Sequence, residues 1–252
     1  MSALSALNLA IGRWVFRYRN AMFPTIFVLM VLLLRPHVPF GDHALDRWLV
    51  AAGAAIAILG QAVRLLTIGF DYIERGGKDG KVWASKLVQG GIYAHTRNPM
   101  YLGNLLIATG MCLYTGAPAA YLIVIPLFIY FYETIMIAEE TFLREKFGPE
   151  YAAYCGRVPR MFPSLRGIRE TFGNATYDWR RAVRKDLSTM TGLLLGFACL
   201  PLWRTYFLNG FHAARAQAPV TLALAAAVLT LYVILHQLKK RRVFFYLTDL
   251  PR

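Results

Sequence analysis

The chain has 252 residues, of which 57% are hydrophobic and only 17% charged, and its formal net charge is +14. Soluble proteins average roughly 25% charged residues, and here the charges lie between long apolar runs, so the composition predicts membrane spans and excludes a large soluble core. Lys and Arg flank these runs and do not form one patch, which excludes a nucleic-acid-binding surface.

The N-terminal segment is amphipathic. Leu4, Leu7, Ile11, Trp14 and Tyr18 recur at helical spacing, which predicts an interfacial helix over residues 3–19 on the cytoplasmic leaflet. A frayed terminus is the alternative. Residues 1–20 are too long and too amphipathic for the basic region of a cleavable signal peptide.

Six apolar runs follow and predict an all-α, multi-pass membrane protein with about six transmembrane helices. Arg64 interrupts the second run, and because a charge at that depth is costly we expect it to reach the interface or face a polar pocket. Residues 115–118 predict a tight helical hairpin. The concentration of Lys and Arg in alternate loops places both termini in the cytoplasm. The runs are 21–34, 48–70, 100–114, 118–138, 187–208 and 219–238.

The cysteines and histidines carry no metal or disulfide signature. Cys112, Cys155 and Cys199 are odd in number and far apart, and the five histidines lack metal-binding spacing. We therefore predict no metal site.

Two polar stretches lie where apolar helices meet the predicted cytoplasmic surface. The first runs from Gly91 through His95, Thr96, Arg97, Asn98, Pro99, Met100 and Tyr101 to Gly103. The second begins at Glu139-Glu140, passes Phe147-Gly148, Tyr151 and Tyr154, and continues through Arg157-Val158-Pro159-Arg160 to Pro163. Because the hairpin joins the two stretches, we predict that they meet in a polar pocket at the membrane boundary.

These stretches resemble the signature of membrane methyltransferases related to isoprenylcysteine carboxyl methyltransferase and phosphatidylethanolamine N-methyltransferase. Their pattern is R-H-P-x-Y-x-G, a helical hairpin, a Glu-Glu pair and F-G-x-x-Y-x-x-Y; here Asn98 replaces the His. The resemblance covers roughly residues 60–163 and does not extend to the two C-terminal apolar runs. We predict three parts: an interfacial helix (1–20), a methyltransferase core (21–163) and a basic linker with two C-terminal membrane helices (164–252).

The resemblance implies that S-adenosylmethionine binds in the pocket. Arg97 would pair with its carboxylate, Glu139 or Glu140 would hold its ammonium or ribose hydroxyls, and a tyrosine would pack the adenine or face the sulfonium. Tyr101 and Glu133 are the predicted catalytic residues, and Glu133 or His95 is the candidate base if the acceptor is an amine or thiol. The predicted cofactor-binding residues are His95, Arg97, Asn98, Pro99, Tyr101, Gly103, Glu139, Glu140, Tyr151, Tyr154, Arg157 and Arg160.

The predicted activity is methyl transfer to a lipophilic acceptor, either a phospholipid amine or an isoprenoid or isoprenylcysteine-type carboxylate, at the cytoplasmic face of a bacterial inner membrane. The alternatives are an NADPH-dependent reductase similar to sterol reductases and a non-enzymatic transporter or assembly subunit. The acceptor is expected to enter sideways along Leu105, Ile129 and Met136. The two C-terminal helices either shape the acceptor pocket or form a dimer, and the oligomeric state stays open.

Overall fold

The computed structural model describes residues 3–70, 80, 82–174 and 176–241, and these ranges contain helices and no strand. The predicted all-α fold is therefore confirmed. The α-helices are α1 (Ala3–Leu33), α2 (His43–Phe70), α3 (Pro99–Thr115), α4 (Ile125–Arg157), α5 (Ile168–Asn174) and α6 (Trp179–Lys240). Short 3-10 turns lie at Pro39–Gly41 and Gly91–Ala94, and a π-helical turn at Ala120–Val124 leads into α4. The first part of the predicted 71–99 loop and the C-terminal tail lie outside the described residues.

Within the described residues, four helical stretches are long and apolar enough to cross a membrane, and the chain is an integral membrane protein. They are Leu4–Leu33, His43–Phe70, Ala120–Arg157 and Trp179–Lys240. Helix α3 has 17 residues, fewer than the roughly 20 that a bilayer core requires. The last two predicted apolar runs, 187–208 and 219–238, belong to one helical element, α6. The predicted count of six spans is not confirmed.

Helix α6 is divided at Gly210, whose backbone (φ 85°, ψ 177°) leaves the helical region. Across this point the Thr205 hydroxyl donates a hydrogen bond of 2.7 Å to Gln217 Oε1. In a straight helix these residues would be about 18 Å apart, so the chain folds back near Gly210. Residues 179–209 form the first arm of α6 and residues 211–240 the second.

The predicted interfacial helix and the first apolar run form one continuous helix, α1. Leu4, Leu7, Trp14 and Tyr18 of the amphipathic stripe are exposed, while Ile11 packs against the core. This outward stripe is suited to contact with lipid, and its place on the cytoplasmic leaflet stays a prediction.

Helices α2 and α3 pack with their backbones in contact. A Cβ atom at Gly53 would lie 2.6 Å from the Gly110 carbonyl oxygen, and one at Gly60 would lie 2.6 Å from that of Gly103. Glycine at these crossing points allows the close approach, as in other membrane helix pairs. The antiparallel packing sets the start of α3 beside the last turns of α2.

Two buried ion pairs join α2 to the first arm of α6. Arg64 pairs with Asp186 near one end, and their side chains are 4% and 0% exposed. At the other end Arg204 pairs with Asp46, with a shortest separation of 2.6 Å. The prediction that Arg64 faces a polar pocket is confirmed, and its partner lies 122 residues further along the chain.

The hairpin between α3 and α4 forms where the sequence predicted it. Pro99 begins α3, and Gly116 ends it in the left-handed conformation (φ 69°). Helix α4 continues past Glu139 to Phe147, and after Gly148, whose backbone is not helical (φ 48°, ψ −120°), its last turns extend to Arg157. The start of α3 and the last turns of α4 are therefore at the same end of the bundle, where both motifs lie.

Candidate functional site

A cavity of about 1290 Å³ opens at the end of the bundle where α3 begins and α4 ends. Its polar wall combines both motifs with residues from α1, α2 and α6. Its apolar wall is built largely from α1, α3 and α4. The polar and charged lining residues include Arg19, Asn20, Arg64, Lys86, Arg97, Asn98, Tyr101, Asn104, Glu139, Glu140, Tyr151, Tyr154, Lys185, Ser188 and Thr189.

Tyr101 connects α1 to α4 within the cavity wall. Its hydroxyl donates a hydrogen bond of 2.6 Å to Glu139 Oε1 and accepts one of 3.1 Å from Arg19 Nη1. Arg19 Nη1 also lies 3.8 Å from the same Glu139 oxygen. Arg19 was not among the predicted site residues, yet it partly neutralises the carboxylate that faces the cavity.

Glu140 lies between two arginines of the motifs. Arg160 Nε donates to Glu140 Oε1 at 2.8 Å, while Arg97 Nη1 is 3.8 Å from that oxygen. Asn98 Nδ2 approaches it at 3.5 Å and donates to the Arg160 carbonyl at 3.0 Å. The two motifs are thus joined by direct side-chain contacts across the hairpin.

Arg160 is held by a second carboxylate, Glu133, whose Oε1 accepts from Arg160 Nη1 at 2.5 Å. Partial burial disfavours the charged guanidinium, but the hydrogen bonds and charges of Glu140 and Glu133 outweigh it and raise the pKa of Arg160. The Glu133 side chain is 44% exposed, and it is not among the residues that line the cavity. Its contact in this structure is therefore a supporting ion pair.

Arg97 has unused donor capacity in a buried setting. Its backbone N–H donates to the Pro159 carbonyl at 2.9 Å, and its Nη1 contacts Cys155 Sγ at 2.9 Å. Its Nε is buried and has no hydrogen-bond partner. Since buried N–H groups are ordinarily paired, this atom is suited to an acceptor supplied by a ligand.

Tyr151 and Tyr154 are almost fully buried on α4 and line the cavity. Their ring centroids are 6.2 Å apart, and the Tyr154 hydroxyl donates to the Tyr93 carbonyl at 2.8 Å. Their position inside the protein distinguishes them from interfacial aromatics that face lipid. They give the polar end of the cavity an aromatic surface.

His95 fastens the loop behind the site. One ring nitrogen lies 2.8 Å from the Ser164 carbonyl oxygen, and the other lies 2.7 Å from the Thr171 hydroxyl. The ring is thus used on both sides by residues outside the cavity, and His95 does not line it. Its contacts are those of a residue that holds a loop in place.

The predicted site residues divide into two groups. Those that line the cavity are Arg97, Asn98, Tyr101, Glu139, Glu140, Tyr151 and Tyr154; those that do not are Glu133, His95, Pro99, Gly103, Arg157 and Arg160. Arg160 supports the lining through Glu140, and Gly103 allows the close contact with α2. Arg157 is exposed and donates to Gln89 at 3.0 Å.

The predicted acceptor path along Leu105, Ile129 and Met136 differs from the cavity in the structure. None of the three lines it; Ile129 is 52% exposed on the outer surface, and Met136 is buried in the core. The apolar lining comes instead from other residues: Phe16, Phe23, Phe27, Val28, Ile107, Ala108, Met111, Phe128 and Leu193.

Several lining residues lie outside both motifs. Arg19 and Asn20 come from α1, residues 82–88 pass along the cavity, and Lys185, Ser188 and Thr189 come from α6. Lys146 fastens the 82–88 segment to α4 through the Ala84 carbonyl. The positive charge of the N-terminal segment and of residues 139–186 was visible in the sequence, but that signal did not distinguish these residues from their neighbours.

Residues 48–150 match the phospholipid methyltransferase family. Over this region the chain is similar to membrane methyltransferases. The matched region contains most of α2, all of α3 and most of α4, and it includes Arg97, Tyr101, Glu139 and Glu140. It ends before Tyr151 and includes neither α1 nor α6.

Two curated relatives are similar over more residues than the family match covers. The cobalt-zinc-cadmium resistance protein CzcN of Cupriavidus metallidurans is 27% identical over 173 residues, which is 64% of this chain and 71% of the relative. Protein-S-isoprenylcysteine O-methyltransferase of Rattus norvegicus is 29% identical over 127 residues. That match covers 48% of this chain and 44% of the rat enzyme. No solved structure matches the chain.

These similarities support a methyltransferase that acts on a lipophilic substrate in a membrane. A methyltransferase requires a methyl donor, and seven of the twelve residues predicted to bind it line the polar end of the cavity. The apolar end has the composition expected for a lipophilic molecule.

Proposed function

We propose that this protein transfers a methyl group from S-adenosylmethionine to a lipophilic acceptor at the cytoplasmic face of the membrane. The observation that carries the proposal is one cavity of about 1290 Å³ with a motif-built polar end and an apolar remainder. Ligand pockets ordinarily measure about 300–1,000 Å³, so this cavity has room for a donor and an acceptor together.

The residues at the polar end fit the donor. Arg97 has a buried Nε without a partner, which suits a carboxylate because a guanidinium binds one through paired N–H groups. Glu139 is the carboxylate best suited to the ammonium or the ribose hydroxyls, since Arg160 already engages Glu140. Tyr151 and Tyr154 supply the surface for adenine. When bound, the donor supplies an electrophilic methyl group on a sulfonium.

The chain's contribution to the reaction is chiefly positioning. Tyr101 lines the cavity and is fixed by Glu139 and Arg19, so its ring and hydroxyl are held in place before either substrate arrives. Alignment of two reactants at about 3–3.5 Å can supply several kcal/mol of rate enhancement. Tyr101 is therefore retained as a catalytic candidate.

We assign Glu133 a supporting role in place of the base role expected from the sequence. Its ion pair with Arg160 holds the guanidinium that in turn holds Glu140. Neither predicted base, Glu133 nor His95, lines the cavity, so no base is assigned to an amine acceptor. Where the acceptor is a carboxylate, no base is required.

Ligand binding tests the donor first. The purified chain should be stabilised against thermal unfolding by S-adenosylhomocysteine and not by NADPH, because a ligand stabilises only the protein that binds it. Incubation of membrane extract with radiolabelled S-adenosylmethionine should then give a labelled lipid. Stabilisation by NADPH alone would favour a reductase and refute the proposal.

Variants then test the residues. Arg97→Ala and Glu139→Ala should each weaken S-adenosylhomocysteine binding about tenfold or more, because a hydrogen bond to a charged group is worth about 1.5–3 kcal/mol. Glu145→Ala is the matched control, since Glu145 lies on the same helix, is exposed and does not line the cavity. Calorimetry that gives wild-type affinity for both test variants would remove these residues from the site.

A further inference from the structure

The segment from residue 82 to residue 88 forms a wall of the cavity over its whole length. Every residue of the segment lines the cavity, and none of them belongs to a helix. The segment lies between α2 and α3 and outside both sequence motifs. Because an extended chain of this length spans up to about 24 Å, it is long enough to cover one end of a helical bundle.

This segment connects the two groups of residues at the polar end of the cavity. Val82 packs against the core cluster that contains Tyr101. Leu87 packs against the separate cluster that contains Tyr151 and Tyr154. Since its two apolar side chains are anchored in these clusters, the chain between them crosses the end of the cavity where we place the donor.

Lys146 of α4 holds the middle of the segment. Its ammonium donates a hydrogen bond to the Ala84 carbonyl and lies 5.6 Å from the centre of the Trp83 ring. The ring centres of Phe142 and Phe147 lie 5.8 Å and 5.6 Å from the same atom. Aromatic rings attract an ammonium through the cation–π interaction, so the three rings fix the position of Lys146 although its side chain is exposed.

A second fastening lies at Gln89, directly after the lining residues. The Gln89 amide donates to Glu150 Oε1 at 2.9 Å and accepts from Arg157 Nη2 at 3.0 Å. Both partners belong to the last turns of α4. These contacts are exposed to solvent, as is that of Lys146 with Ala84. Exposed polar contacts contribute little stability individually, so local fluctuations can break them without unfolding the helices.

We infer that residues 82–89 form a strap that closes the donor end of the cavity, and that Lys146 holds the strap closed. The inference rests on the proposed function and extends it to donor entry and product release. The donor and its product are charged and soluble in water, so both cross the aqueous end of the cavity in every cycle. Lys146 does not line the cavity; it is a positioning residue that acts through Trp83 and Ala84.

The kinetics of S-adenosylhomocysteine binding to the immobilised full chain in a neutral detergent test the strap. Lys146→Met retains a long side chain but loses the charge. It should raise the association and dissociation rate constants together, by about three- to tenfold, the range for loss of exposed ionic and cation–π contacts. The two rates rise together because the ligand passes in both directions only while a strap is open, and the affinity therefore changes little. Faster dissociation with unchanged association would make the segment a ligand contact only and would overturn the inference.

Labelling of a cysteine on the strap reports opening without any ligand. Leu87→Cys places a thiol at a half-buried position, and peptide mass spectrometry follows its reaction with a maleimide. The combination with Lys146→Met should speed labelling at position 87 by about the same three- to tenfold. The native thiol of Cys112 is 1% exposed in the core, and its labelling rate should stay unchanged. Faster labelling of Cys112 as well would indicate general unfolding and would contradict a local strap.

Matched variants identify the contact. Lys146→Arg retains the charge and should keep the binding rates of the wild type. Arg144→Met removes another exposed cation from the same helix and should also leave them unchanged. Gln89→Ala added to Lys146→Met removes the second fastening and should raise both rates further. Wild-type rates and labelling in this double variant would refute the strap.

The two proposals fail in different ways. If the wild type binds no S-adenosylhomocysteine but Lys146→Met speeds labelling at position 87, the proposed donor is wrong and closure by Lys146 is supported. If the donor analogue binds and neither the rates nor the labelling respond to the variants, the strap is wrong and the donor site is supported.

Discussion

Breaking the Arg64–Asp186 pair tests how strongly α6 is joined to the core. Arg64 contacts both Asp186 oxygens, Asn104 and Thr189, and its side chain is 4% exposed. Asp186→Leu leaves a buried guanidinium without its counter-charge, and removal of one partner of a buried pair costs about 3–5 kcal/mol. Arg64→Met leaves the buried carboxylate and should cost a similar amount.

The double variant distinguishes a coupled pair from two independent losses. The double variant, Arg64→Met with Asp186→Leu, retains neither charge. Its loss of unfolding free energy should therefore be about 2–3 kcal/mol smaller than the sum of the two single losses, within the range for residues in contact. The assay is the free energy of unfolding in mixed micelles as the fraction of denaturing detergent is increased. Additivity within about 0.5 kcal/mol would refute the coupling.

Three further predictions concern the site, the packing and one helix cap. Tyr101→Phe removes the hydroxyl between Arg19 and Glu139 and should lower kcat/KM for methyl transfer about tenfold or more; an unchanged value would exclude the hydroxyl from catalysis. Gly60→Val forces a Cβ to within 2.6 Å of the Gly103 carbonyl oxygen and should lower the thermal midpoint strongly. At Gly156 an added Cβ would have no neighbouring atom within 4 Å, so Gly156→Ala should leave the midpoint unchanged or raise it slightly. Asp42 caps α2 by accepting hydrogen bonds from the N–H groups of Leu45 and Ala44, and these bonds lower the pKa of its carboxyl. The stabilisation from the cap is complete above the ordinary aspartate pKa and is lost as the pH falls through the lowered pKa. The difference in thermal midpoint between wild type and Asp42→Ala should therefore shrink in acid.

The meeting of the two motifs was predictable because it follows from local signals. The turn at residues 115–118 reverses the chain, so it predicts that the start of α3 and the later turns of α4 lie at the same end of the bundle. Tyr101 lies 14 residues before this turn and Glu139 lies 21 residues after it, so equal spacing does not pair them. The 2.6 Å hydrogen bond between them in the structure therefore depends on how the two helices pack.

Arg19 could not be singled out in the same way. Arg13, Arg17 and Arg19 lie close together on one helix, and all three fit a basic interfacial segment. In the structure Arg13 and Arg17 are exposed, while Arg19 is partly buried against Tyr101. The rotation of α1 that selects Arg19 is set by the contact of Gly12 with the Thr134 backbone, which is long-range and has no periodic signal.

Glu133 illustrates the opposite difficulty. A carboxylate in an apolar run is ordinarily a functional residue, and this reasoning placed it in the site. Its neighbour in space, Arg160, lies in the irregular segment after α4, whose path depends on contacts such as Arg97 N–H with the Pro159 carbonyl. Sequence spacing alone does not fix that path, so the direction of the Glu133 side chain could not be predicted from the sequence.

The long separation of Arg64 and Asp186 also has a consequence for how the chain enters the membrane during synthesis. Helix α2 is complete well before its acidic partner exists, because 122 residues lie between the two. At translation rates of about 5–20 residues per second, roughly 6–24 seconds separate the synthesis of Arg64 from that of Asp186. An unpaired arginine costs about 2.5–3.5 kcal/mol at the centre of an inserting helix, and Arg64, six residues from the end of α2 at Phe70, would cost less. During this interval α2 would be retained near the insertion machinery or shifted toward one surface, and the arrival of the first arm of α6 would complete its insertion.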